Sequence, residues 1–192
     1  MPVSIRQSII LSLLLFFSIA AAAQRHEHYY IVFSARDASI RPFSLGGHAV
    51  VSWGYTDVSR VVHSKKSLGF FPGAGKNMLE AIISTKRGRL VKGYFSNSKG
   101  IYMRQLAIEV DSSIWADTQS EAANWKYQSY NLFTRNCLHF MDKVAKMSLL
   151  KCPRTHTCLF RFPLRPVKYT KRLYRKNKNR AVSLQEIHFD KK

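Results

Sequence analysis

The chain has 192 residues, with 31 basic against 11 acidic side chains and a formal charge of +20. That length fits one globular domain with a short extension at each end, and it can bury a core without help from disulfides. There is no internal repeat and, past the N-terminal segment, no apolar stretch long enough to cross a bilayer as a helix.

Taken in chain order, the first segment stands apart from the core. Arg6 supplies a positive start, Ile9 to Ala23 is apolar, and Ala21-Ala22-Ala23 has the small-residue pattern of a signal peptidase site. Residues 1–23 are therefore expected to be a signal peptide and the mature chain secreted or periplasmic; the alternative is an uncleaved anchor, for which the apolar run is short. Tyr29 to Phe33 reads as a buried strand. Gly46-Gly47 leads into a second strand, His48 to Trp53, on which His48, Val50 and Ser52 face one way and Ala49, Val51 and Trp53 the other. Arg60 to His63 reads as a third strand and Leu68 to Lys76, with Pro72 and three glycines, as loop. Arg89 to Phe95 and Ile101 to Val110 read as further strands.

The period then changes. Ser113 is expected to cap a helix with Trp115, Ala122 and Trp125 on one face, and a second helix is expected from Asn136 to Leu149. Strands followed by helices indicate an α+β fold over residues 24–150, a small antiparallel β-sheet packed against helices. Residues 151–192 carry 13 basic and 2 acidic side chains. They read as a basic C-terminal extension, either solvated or attracted to an anionic envelope surface such as a wall polymer, lipopolysaccharide or phospholipid, with no specific nucleic acid as partner.

Three cysteines are present. Cys152 and Cys158 bracket five residues, and in an oxidising compartment they are expected to form a disulfide; a metal reading through Cys152, His156 and Cys158 lacks an evident fourth ligand, so neither metal nor cofactor is expected. That leaves Cys137 alone in Arg135-Asn136-Cys137-Leu138-His139-Phe140, where a cysteine opens a helix. The unpaired amides and dipole of a helix start favour the thiolate and offer oxyanion donors, with Asn136 or Thr134 as cap. The competing reading is an inert cysteine packed beside Phe140, Met141 and Val144.

His139 is a poor base for Cys137, because two residues along a helix turn the side chain about 200° away. His48 is the better candidate: a polar ring on an apolar strand needs a partner, and the two glycines before it permit close approach by another element. Tyr127, Tyr130, Phe70 and Phe71 are candidates to line a cleft, though aromatic residues are more often core.

Gly47-His48 on a strand, followed much later by Asn136-Cys137-x-His139-Phe140 opening a helix, resembles the circularly permuted papain-like (NlpC-type) thiol hydrolases. The Asn-Cys-x-His-Phe run is most similar to the lecithin:retinol acyltransferase-like group. The resemblance covers roughly Tyr29 to Leu150. It implies a Cys137–His48 pair across a sheet–helix interface and a covalent thioester. A second histidine on the next strand would orient the base, a place His63 fills at a longer spacing, with Asp57 and Ser52 as alternatives. Three functions follow as expectations: a wall peptide or amide hydrolase, a lipid deacylase or acyltransferase, and a catalytically inactive papain-like binding domain.

Overall fold

The computed structural model describes residues 28–36, 47–56, 62–73, 87–92, 104–156 and 165–183. The signal-like segment, Asp57 and Cys158 lie outside them. Six strands form an antiparallel sheet: β1 (His28–Arg36), β2 (His48–Thr56), β3 (Val62–Phe71), β4 (Arg89–Lys92), β5 (Arg104–Val110) and β6 (Ala181–Val182), in the order β4-β3-β2-β1-β5-β6. Three α-helices accompany them: α1 (Ser112–Asn124), α2 (Cys137–Met147) and α3 (Pro166–Lys176). The fold is α+β, with an antiparallel sheet and three helices, as the sequence indicates. Among the described residues no helix is long and apolar enough to cross a membrane.

Alternation along the strands builds the core. Ile31 and Phe33 of β1, Ala49, Val51 and Trp53 of β2, Leu68 and Phe70 of β3, and Leu106 and Ile108 of β5 join one apolar cluster. Against them pack Trp115 and Ala122 of α1, Leu138, Phe140, Met141, Val144 and Ala145 of α2, and Tyr169 and Leu173 of α3. Two indoles lock α1 to β2: Trp53 Nε1 donates to Thr118 Oγ1 at 3.0 Å, and Trp115 Nε1 to the Gly54 carbonyl at 3.1 Å. Buried indole donors need such partners, because leaving one unmade costs more than the bond gains.

Two expectations change. The third strand is not confined to Arg60–His63. It runs ten residues to Phe71, where Pro72 and Gly73 follow, and it absorbs the start of the segment read as loop. Nor does the domain end at 150. α3 puts Tyr169 and Leu173 at 0 % exposure, and β6 pairs with β5 through Ala107–Val182 and Ile108–Ala181. The Tyr169 hydroxyl donates to Asp142 Oδ1 at 2.6 Å, while Lys146 Nζ lies 2.6 Å from Asp142 Oδ2. A carboxylate taken out of water is tolerated when it is paired and hydrogen-bonded. The basic extension is thus partly core, with its charges on the outer side.

Candidate active site

α2 begins where the sequence places it. Asn136 is the N-cap: its Oδ1 accepts from the amides of Leu138 at 2.8 Å and His139 at 3.2 Å, and its Nδ2 donates to the Leu132 carbonyl. His139 closes a capping box, with Nδ1 2.9 Å from Asn136 Oδ1 and facing the Asn136 amide at 3.5 Å. An imidazole here takes the place usually held by Glu or Gln three residues past the cap. His139 therefore serves the helix end rather than the thiol. Asn136 supports the site by fixing that end, with both ends of its amide already engaged.

Cys137 is the first residue of α2 and is buried, 7 % exposed. Burial pushes its thiol pKa up to about 11, outweighing the nearby backbone amides of Ala49, Leu138 and Cys137 itself, which lower it. The helix start therefore does not win against desolvation, and at neutral pH the group is a thiol. Tyr130, also buried, lies in the same surroundings: burial, then the neighbouring Cys137, holds its hydroxyl above the ordinary range.

The structure brings β2 to Cys137, since Ala49 and Cys137 share one apolar cluster, and His48 is the next residue. It does not bring the imidazole to the thiol. No hydrogen bond joins them. The ring instead covers Gly69 and stacks on Phe71, with ring centroids 3.9 Å apart. His48 Nε2 is buried and, among the described residues, has no hydrogen-bond partner. Burial, reinforced by the Arg36 charge, lowers the His48 pKa to about 3, so the ring is neutral. Strand alternation accounts for the arrangement, because Ala49, Val51 and Trp53 enter the cluster that holds Cys137 and their neighbours point the other way.

His63 does not back His48. Antiparallel register sets it opposite Tyr55, with ring centroids 5.3 Å apart. Tyr55 lies seven residues along β2 from His48, roughly 23 Å at strand rise. Ser52 is bonded to Ser67, Oγ to Oγ at 2.8 Å, and does not serve either. What faces His48 Nε2 is Gly69, a residue that no search for polar orienters finds. A Cβ at Gly69 would collide with that nitrogen. Gly69→Ala is accordingly expected to cost about 1–3 kcal/mol through overpacking. In urea titrations the cost should vanish in a His48→Ala background, and equal costs in both backgrounds would remove the contact from the account.

The expected Cys152–Cys158 bond is absent at the end that is described. Cys152 is a free thiol whose Sγ donates to the Leu150 carbonyl at 3.5 Å, and burial, then the Asp142 charge, raises it to about 11. His156 sits beside His139 with ring centroids 5.1 Å apart, its Nε2 2.9 Å from the Phe133 carbonyl and its Nδ1 2.9 Å from Thr155 Oγ1. Among the described residues no three His, Cys, Asp or Glu side chains are placed to share a metal ion. An open pocket of about 430 Å³ lies near this pair, lined by residues that include Asp142, Lys146, Cys152, Arg154 and His156. Of the aromatic residues considered as cleft lining, Phe70 and Tyr130 are core, ring centroids 5.5 Å apart. Tyr127 is exposed under the Arg87 guanidinium.

No family model and no curated protein matches the sequence. Among solved structures the chain is similar to the type VI secretion system effector TseH, at 14 % identity and a TM-score of 0.47, over 77 % of this chain and 87 % of that one.

Proposed function

We propose that the chain is a cysteine hydrolase that cleaves an amide or ester bond through Cys137, with wall peptide amides as its first substrate class and phospholipid esters as the alternative. One observation carries this reading: Cys137 is the first residue of a capped helix and packs in the same apolar cluster as Ala49 of β2. The Leu138 amide donates to Asn136, which leaves the amides of Cys137 and Ala49 as the proposed donors for an oxyanion. Fixed donors aimed at the place where charge develops are worth about 3–4 kcal/mol each in acyl transfer.

In the proposed reaction the start of β2 turns at Gly47, which already holds a φ of 76°, so that the His48 ring passes from the Gly69 side of the sheet to the Cys137 side and takes the thiol proton. The sulfur then attacks the substrate carbonyl carbon, and the two amides hold the resulting oxyanion. Collapse breaks the bond to the leaving amine or alcohol, which takes the proton back from His48. Water, deprotonated by the same ring, hydrolyses the thioester and regenerates the thiol. Peptide amides as first substrates rest on the expected export of the chain.

A second reading, a domain with this architecture and no catalysis, is favoured by the unbonded Cys137–His48 pair and by glycine at the place of the orienter. Alkylation separates the two. Mass-detected labelling of Cys137 near pH 7, lost in His48→Ala, is expected of the hydrolase. Hydrolysis of wall fragments or phospholipid should then disappear in Cys137→Ala. Labelling that climbs tenfold per pH unit up to about 11, indifferent to His48, would instead establish the idle domain.

A further inference from the structure

The outer side of α3 is chemically one-sided. Pro166, Tyr169, Thr170 and Leu173 are buried, whereas Lys168, Lys171, Arg172, Arg175 and Lys176 are exposed. At 100° per residue these five cations fill the solvent face. Residues 148–156 and 165–183 together hold 10 basic and no acidic side chains. Lys168–Arg172, Lys171–Arg175 and Arg172–Lys176 are like-charge pairs four apart, an arrangement that destabilises a helix. Helix stability therefore does not explain the face, whereas an anionic partner does.

The loop after α2 indicates which anion. It runs against the end of α3: the Lys151 amide donates to Asn177 Oδ1 at 2.9 Å, and the Arg180 guanidinium donates to the carbonyls of Ser148 and Leu149 at 3.0 and 3.1 Å. The helix closes with Leu150 N–H to the Ala145 carbonyl at 3.1 Å and Leu149 N–H to the Lys146 carbonyl at 3.0 Å. That double bond pattern puts Leu149 at a position usually given to glycine or asparagine. Its φ is 57° and it is 73 % exposed. A lone exposed leucine is ordinary. This one stands in a left-handed conformation with its carbonyl accepting from Arg180, two residues before Lys151.

We propose that this end of the molecule docks on an anionic lipid surface. Lys151, Lys178 and Arg180 would lie at the headgroups, Leu149 would enter the acyl boundary, and the α3 face would supply longer-range attraction. A nucleic acid would use the cations but has no place for the leucine, and this decides between the two polyanions.

The test uses the full chain and co-sedimentation with vesicles of phosphatidylcholine plus phosphatidylglycerol, against phosphatidylcholine alone, with duplex DNA as a competitor. Binding to the anionic vesicles only is expected, weakening with salt. The triple variant Lys168→Gln, Arg172→Gln, Arg175→Gln should lose about fivefold in partitioning per cation. Leu149→Asn, which suits the left-handed position and should keep the melting temperature, is expected to lose about tenfold on vesicles and nothing on DNA. Equal binding to neutral vesicles, or full vesicle binding by Leu149→Asn, would overturn the proposal. Tighter capture by duplex DNA at the same salt would assign the face to nucleic acid instead.

Discussion

Tyr169→Ala is expected to lower the free energy of unfolding by about 3–5 kcal/mol, the range for deleting a buried aromatic side chain. Tyr169 is fully buried, and its hydroxyl donates to Asp142, which is also held by Lys146. Tyr169→Phe isolates that bond and should cost about 1–3 kcal/mol, because a buried acceptor loses its partner. Deleting residues 165–192 removes Tyr169, Leu173 and the β6 pairing together, uncovering one side of β5 and part of β1. Against a total stability of about 5–15 kcal/mol, that loss should abolish the cooperative urea transition read by tryptophan fluorescence. A truncated chain that unfolds with the midpoint of the full chain would show that α3 is an appendage.

α3 also marks where the sequence stops being legible. Its inward side consists of Pro166, Tyr169, Thr170 and Leu173, so only two large side chains of that face stand against five cations over Pro166–Lys176. Composition over such a window reads as a solvated tail, and only the i, i+4 spacing of Tyr169 and Leu173 betrays a buried stripe. β3 was partly hidden for a related reason. Gly69 inside it looks like a loop signal, yet it is there because the His48 ring occupies the space of a side chain. A glycine in a strand can mark close approach by another group as well as a break.

The candidate site was legible where the information is local. The helix start, the Asn136 cap and the placing of Cys137 at the first position all follow from a few adjacent residues. Excluding His139 as the base by helical geometry agrees with its place in the capping box. Register is not local. His63 lies opposite Tyr55 because β2 and β3 pair through an irregularity at Trp53/Gly54, and no spacing count from His48 reveals that. Burial is not local either. A helix start favours a thiolate only when water or charge remains near it, and Cys137 is enclosed by the core.

The same enclosure makes the fold acid-labile in a definable window. His48 is neutral in the folded chain, with its pKa lowered from 6.5 to about 3 by burial and Arg36. The unfolded chain binds this proton more readily, so the stability that the neutral ring supports is fully present above about pH 6.5. It is lost as pH falls toward 3. Restricting the measurement to pH 6.5–5 keeps most carboxylates ionised, and there His48 alone should account for roughly 1.5 kcal/mol. His139, lowered to about 4 chiefly by burial and then by His156, acts in the same direction but is partly open to solvent, which reduces its share. His48→Leu removes both the proton site and the unpartnered Nε2. It should leave stability at pH 7.5 nearly unchanged or raised, while flattening the slope of the urea midpoint between pH 6.5 and 5; His139→Gln should flatten it less. A His48→Leu slope that matches the unaltered chain would mean that the ring meets water in the folded chain, and the burial account of His48 would fall.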